Sequence, residues 1–153
     1  MSICGERNGK MSKNPIVIVD SDALIAQATP ADVHHQKAMM TSMLLAEKKT
    51  QIFYPVTAIA ETTAYVQRVL NSTVVAYQML EYMTSPSINI LEVNQQTLTD
   101  AFEFFSPKTS KKNTLFDCIV AALAKKHNAE AIFSFDSFYK KQGFKLASDL
   151  SKT

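Results

Sequence analysis

Four carboxylate positions lie in apolar stretches of this chain, where an ionised side chain loses hydration. They are the pair Asp20 and Asp22 after a β-rich run, then Glu61, Asp117 and Asp136, and no Lys or Arg shares any of these stretches. A buried carboxylate needs hydrogen bonds, a cationic partner or a metal ion to offset the lost hydration. Four such cases in 153 residues predict one shared acidic pocket that holds a divalent cation.

The ligand type indicates which ion this pocket would select. An all-oxygen carboxylate site favours Mg²⁺ or Mn²⁺, whereas zinc favours His and Cys. Neither Cys4 nor Cys118 has a Cys or His at zinc-site spacing. Such an ion neutralises charge on a phosphodiester and lowers the pKa of bound water. We therefore expect a hydrolase that cleaves a nucleic-acid backbone.

Each acid except Glu61 also has a purely structural interpretation. Thr114 and Asp117 have the spacing of a helix capping box. Asp136 can cap the helical turn that follows it, and Asp20 or Asp22 can cap the first helix. These alternatives stay open at the level of the sequence.

Apolar, β-rich segments alternate with helical patterns along the chain. We predict strands at 16–19, 51–54, 88–93, 131–135 and 144–146, and helices at 23–28, 33–48, 57–70, 73–83, 95–105, 114–127 and 137–141. Strands that are apolar throughout and separated by helices indicate a parallel sheet covered on both faces. The predicted fold class is α/β, a three-layer α/β/α arrangement around a mostly parallel central sheet.

This element order places the acids together. Ligands bind at the carboxyl ends of strands in open parallel sheets. Asp20 follows the first strand and Asp136 the fourth, Glu61 lies early in the helix after the second strand, and Asp117 begins the helix before the fourth. We expect all four at one end of the sheet.

Length and composition indicate a single intracellular domain. We expect one domain over residues 14–150 and a flexible, polar N-terminal extension over residues 1–13. No apolar run approaches the roughly 20 residues of a membrane span. One cysteine in the extension and one in an apolar helix make a structural disulfide unexpected, which favours the cytoplasm.

The positive charge is concentrated near the C-terminus. Residues 106–153 carry nine Lys and four acids, whereas residues 50–105 carry one Arg and five acids. A basic segment beside an acidic pocket suits a polyanionic ligand, although solvated surface lysines explain the charge equally well. Lys108, Lys111 and Lys112, just before Asp117, are the candidate contacts to a nucleic-acid backbone.

Four segments carry a resemblance to the PIN domain, in particular to the small VapC-like toxin ribonucleases: IVIVDSDALIA, ETTAYV, LFDCIVAALAKKHNA and IFSFDSFYKKQGFKL. The resemblance implies that Asp20, Glu61, Asp117 and Asp136 hold the metal, with Ser134 at the family's small-hydroxyl position. Where the family commonly has Thr-Asn, this chain has Ser21 and Asp22, so the part played by Asp22 in the site stays open. His34 and His35 also look family-like, and we expect a structural or surface role for them.

The resemblance further implies a ribonuclease that is the toxin of a toxin–antitoxin pair, with RNA as substrate, a homodimeric assembly and a small antitoxin that covers the pocket. Two alternatives compete with it. One is a catalytically inactive, RNA-binding PIN-like module. The other is a haloacid-dehalogenase-like phosphatase in which Asp20 is the nucleophile and Asp22 the general acid.

Overall fold

A computed structural model of the protein describes residues 14–152, with side chains to residue 150. Four strands form one sheet: β1 (Ile16–Val19), β2 (Gln51–Pro55), β3 (Asn89–Leu91) and β4 (Ala131–Phe133). Their order is β3-β2-β1-β4, and every pairing is parallel. Because β1 lies between β2 and β4, its apolar residues Val17, Ile18 and Val19 are almost fully buried.

Seven α-helices in the described part of the chain accompany the sheet: α1 (Ser21–Ala28), α2 (His35–Glu47), α3 (Val56–Arg68), α4 (Thr73–Met83), α5 (Gln95–Ala101), α6 (Leu115–Lys126) and α7 (Phe138–Lys141). Two separate apolar clusters form. One joins α5, α6 and α7 to the sheet, and the other joins α1, α2 and α3 to it. The three-layer α/β/α prediction is therefore confirmed.

The sequence of helix α6 specifies both its ends and its position against the sheet. Its first turn is capped by Thr114, and Lys125 and Lys126 end it, where positive charge interacts favourably with the helix dipole. The seven residues Cys118–Ala124 between these ends are all buried. The small side chains allow the helix to pack closely against the sheet.

Several predicted boundaries were wrong. The fifth strand, 144–146, is reduced to a single parallel bridge between Leu146 and Ile132. Strand β4 ends at Phe133 because the Phe135 N–H donates to the Asp22 carboxylate instead of a neighbouring strand. Helix α2 begins at His35, not residue 33, and α5 gives way to a 3-10 turn after Ala101.

Two predictions from the sequence concern the N-terminal extension and membrane-spanning helices. The predicted extension 1–13, with Cys4, lies outside the described residues. None of the helices within 14–152 has both the length and the hydropathy needed for a bilayer span.

Candidate metal centre and active site

The pairing of β1 with β4 brings two of the predicted acids to the same edge of the sheet. The Asp20 N–H donates to the Phe133 carbonyl at 3.0 Å, which extends the ladder to the point where both strands end. Asp20 is the N-cap of α1, and its Oδ1 accepts from the Ser21 N–H at 2.7 Å. The side chain is only 3% exposed. Asp20 therefore caps α1 with one oxygen, and its other oxygen is free of the helix.

That second oxygen meets a tyrosine that the sequence did not reveal as a site residue. The Tyr139 hydroxyl donates to Asp20 Oδ2 at 2.6 Å and lies 3.5 Å from Asp117 Oδ1. Tyr139 is fully buried. Its position in the sequence could have indicated this role. Tyr139 lies three residues after Asp136, and the turn of α7 brings its ring back to the same edge of the sheet.

Asp117 and Glu61 are each held by hydrogen bonds from the chain. Asp117 Oδ2 accepts from the Thr114 N–H at 2.6 Å in a reciprocal capping box, so the predicted cap is also present. Glu61 Oε1 accepts a short hydrogen bond from the Ser21 hydroxyl, which joins α3 to the start of α1. Both carboxylates are half-buried.

The residues after β4 connect the two faces of the sheet. Asp136 Oδ1 accepts from the Phe138 N–H at 2.8 Å, which fits the capping interpretation, and its Oδ2 accepts from the Asn113 amide at 2.9 Å. Ser134, almost fully buried, accepts from the Asp136 N–H at 3.1 Å and donates to Asp22 at 2.9 Å. Ser134 therefore links two of the acids.

Asp22 is bound to the end of β4 and not only to its own helix. Its Oδ2 accepts from the Ser134 hydroxyl and, at 2.7 Å, from the Phe135 N–H. Its Oδ1 is buried and has no hydrogen-bond partner within the described residues. A buried oxygen of this kind loses hydration without compensation, which makes it a natural contact for a cation or an ordered water.

The electrostatics show that the acids share one environment. Burial, with repulsion from Asp22 and Asp117, raises the pKa of Asp20 well above its ordinary range. Burial raises the pKa of Asp117 to about 6, and repulsion from Asp136, Glu61 and Asp22 adds to this shift. Burial likewise raises the pKa of Asp22, with a contribution from Asp136. Each of the five acids therefore repels, or is repelled by, at least one of the others.

The donor set matches the chemistry of a hard divalent cation, although the side chains are not arranged as a ready-made cage. Among the described residues, neither ion pair involves a site acid: they join Lys125 to Glu103 and Lys140 to Asp149. No group of three or more His, Cys, Asp or Glu side chains there converges as an ion site, since the carboxylates are turned toward hydrogen-bond donors. The oxygen-only side chains and their mutual repulsion fit a hard divalent cation.

The predicted RNA-backbone lysines lie on one side of this edge. Lys108, Lys111 and Lys112 are exposed in the loop between the 3-10 turn and α6. The loop is connected to the acids through Asn113, whose amide donates to Asp136. His34 and His35 lie on the other side, at the start of α2; His35 Nδ1 is 2.7 Å from the Ala26 carbonyl, which is the structural role expected for it.

Comparisons with known proteins identify the family and the fold. The family model described as "PIN domain" matches residues 17–145. The solved structure of VapC20 from Mycobacterium tuberculosis, a toxin that cleaves the sarcin-ricin loop, superposes with a TM-score of 0.72 at 18% identity, over 84% of this chain and 95% of that one. The structure of FitAcB from Neisseria gonorrhoeae gives a TM-score of 0.56 at 17% identity, over 87% of this chain and 93% of that one. At these identities the likeness shows the fold, and no curated protein sequence matches the chain.

Proposed function

The chain belongs to the PIN-domain family, and on that premise we propose that it is a Mg²⁺- or Mn²⁺-dependent endoribonuclease. The observation that carries the proposal is the group of five carboxylates at the carboxyl edge of the sheet, which repel one another without a Lys or Arg ion-pair partner among the described residues. A fold that needed these acids only as helix caps would have no reason to bring them within range of each other.

In this proposal Asp20, Glu61, Asp117 and Asp136 hold the ion, and Ser134 and Asp22 support them. The ion, when bound, would supply charge neutralisation at the phosphodiester and a water of lowered pKa. The chain supplies the placement. Tyr139 and Ser21 orient Asp20 and Glu61, the capping box orients Asp117, and Asn113 orients Asp136.

The exposed lysines complete the substrate side of the proposal. Lys108, Lys111 and Lys112 would contact RNA phosphates next to the acids, because their loop continues directly into Asn113 and the first turn of α6. Contacts of this kind provide affinity that does not depend on sequence and weakens with salt. The RNA target would be selected by the shape of the surrounding surface.

The experiment that tests the proposal is RNA cleavage by purified protein with Mg²⁺, with Mn²⁺ and with excess EDTA. We expect cleavage only with a divalent ion, and loss of that activity in Asp117→Asn. The control is the same preparation of Asp117→Asn, which reports contaminating nuclease. Strong cleavage in EDTA, or equal cleavage by the variant, would refute the metal mechanism.

A toxin role in the cytoplasm, with a homodimer and an antitoxin partner, is the finer part of the proposal. It is supported by the likeness to VapC20, which is itself a toxin. The protein also exposes apolar side chains that a second chain could cover, among them Val74, Tyr77, Leu80 and Tyr82 on α4. Purification with and without the product of an adjacent reading frame, followed by measurement of mass in solution, tests both partners.

The two alternatives lead to different results. An inactive RNA-binding module would bind RNA but show little metal-dependent thermal stabilisation. The phosphatase alternative depended on Asp20 and Asp22 alone, and the PIN-domain match over residues 17–145 leaves it without support from the fold. Hydrolysis of a phosphomonoester but not of RNA would revive it.

A further inference from the structure

An aromatic stack lies beside the acidic edge, on the face of the sheet opposite the lysine-containing loop. The His34 and Phe135 rings are stacked nearly in parallel, with centroids 4.5 Å apart and an interplanar angle of 11°. The Lys37 ammonium lies 5.7 Å from the centre of the Phe135 ring. We refer to His34, Lys37 and Phe135 as the stacking platform.

Within the stacking platform, Phe135 is held in place by packing and hydrogen bonding, whereas His34 and Lys37 are exposed to solvent. Phe135 packs against the apolar cluster of α1 and α2, and its ring also contacts Phe133 edge-on. Its N–H is bound to Asp22, and the next residue is Asp136. His34 and Lys37 are exposed, so one face of the imidazole is covered by Phe135 and the rest of the ring is available to solvent.

The helix does not require this histidine ring as a cap. His34 is the N-cap residue of α2, yet its side chain makes no capping hydrogen bond. The turn is held instead through its backbone, because the His34 N–H donates to Asp32 Oδ1 at 2.8 Å. The role of the ring must therefore lie in the stack itself or in what the stack contacts.

We propose that the stacking platform binds an unpaired nucleobase of the RNA substrate next to the cleaved phosphodiester. Aromatic faces and nearby cations are the features by which proteins bind single-stranded RNA, since every base has a π-face. This inference rests on the ribonuclease function proposed above.

Placement at the sheet edge favours RNA over a protein ligand. Asp136 is contacted by Asn113 from the lysine-containing loop, and Phe135 directly precedes it in the chain. An RNA strand with a phosphodiester at the acids would thus have lysines on one side and the platform on the other. A protein partner would gain no comparable benefit from a platform in contact with the carboxylates.

The test measures binding of a short fluorescein-labelled single-stranded RNA by fluorescence anisotropy, in an Asp117→Asn background so that the RNA stays intact. We expect His34→Ala to weaken binding by about 5- to 140-fold, the loss associated with one stacked base. His34→Phe keeps an aromatic face and should restore most of the affinity. Lys37→Gln should reduce the slope of affinity against salt by about one phosphate contact.

The chain provides a matched control in a second His–Phe stack. His127 stacks on Phe53 with centroids 5.8 Å apart, at the C-terminal end of α6, whereas Asp117 lies at its N-terminal end. His127→Ala should therefore leave RNA affinity unchanged. Melting temperatures of all variants separate folding defects from binding defects.

The outcomes distinguish this inference from the function on which it rests. Unchanged RNA affinity in His34→Ala, or no recovery in His34→Phe, would overturn the platform while cleavage by the parent protein still supported the nuclease. Failure of the parent protein to bind or cleave RNA would overturn both. Loss of a protein partner's binding in His34→Ala, with RNA affinity unchanged, would reassign the platform to that partner.

Discussion

Replacing Asp117 with Asn separates catalysis from folding at the proposed site. Burial raises the pKa of this carboxyl from its ordinary value of 3.8 to about 6. A difference of about two pKa units corresponds to about 3 kcal/mol between the protonation states. The side chain is only half-buried, so solvent screening reduces the expected effect to roughly 1–2 kcal/mol.

The sign of the effect follows from linkage. The pKa of Asp117 is higher in the folded protein than in the unfolded chain, so folding is favoured when this carboxyl is protonated. Its contribution to the free energy of unfolding is fully present below about pH 4 and is lost as pH rises through about 6. Above that pH the wild-type protein, without metal, has an ionised carboxylate in a half-buried site. Asn is uncharged at every pH and keeps an oxygen that can accept from the Thr114 N–H, so the capping box is preserved.

The helix dipole opposes the gain in stability expected from Asp117→Asn. A negative charge at the N-terminus of α6 is stabilised by the helix dipole by about 0.3–1 kcal/mol. The burial cost exceeds this value, so Asp117→Asn should raise apo-protein stability at pH 8. A change of 1 kcal/mol corresponds to about 2–4 °C in melting temperature for a protein of this size. At pH 4 the gain should largely disappear.

The assay is thermal melting from pH 4 to pH 8, with and without Mn²⁺, alongside RNA cleavage. We expect Asp117→Asn to be inactive and to lose the Mn²⁺-dependent stabilisation of the wild-type protein, which would be about 2.7 kcal/mol at an ion concentration one hundred times the Kd. Asp100→Asn, on α5 and bound to Gln96, is the control for an Asp-to-Asn change outside the site. An active Asp117→Asn protein with normal Mn²⁺ stabilisation would refute the reasoning.

Two further predictions concern the residues around Asp20. Asp20→Asn should lose nearly all RNA cleavage. Asp22→Asn should retain a substantial part of it, because Asp22 mainly binds the Ser134 hydroxyl and the Phe135 N–H. Equal, near-complete loss of cleavage in both variants, with folding intact, would place Asp22 among the metal ligands. Tyr139→Phe removes the hydroxyl that orients Asp20 and should weaken Mn²⁺ binding by about 10- to 100-fold, measured by calorimetry, with the exposed Tyr77→Phe as control. An unchanged Mn²⁺ affinity in Tyr139→Phe would show that the hydroxyl only supports the fold.

Much of the architecture was determined by local sequence. The apolar run Ile16–Val19, the Ala-rich pattern of α6 and the acids at their ends are local features, and each predicted its element and the end of the sheet where the acid lies. The reason is physical: burial of apolar strands and capping of helix ends depend on residues a few positions apart. Boundaries failed where distant groups competed, as at Phe135, whose N–H is taken by Asp22 113 residues away in sequence.

The tertiary structure alone decided which groups meet at the edge. Tyr139 contacts Asp20 across 119 residues, and Ser21 contacts Glu61 across 40. The stack of His34 on Phe135 likewise joins the start of α2 to the residues after β4. No periodicity encodes these pairs, because they arise from the strand order β3-β2-β1-β4, which makes neighbours of the first and last strands. The sequence thus determined that the acids would lie at one edge of the sheet, and the packing of the sheet determined which side chains would orient them.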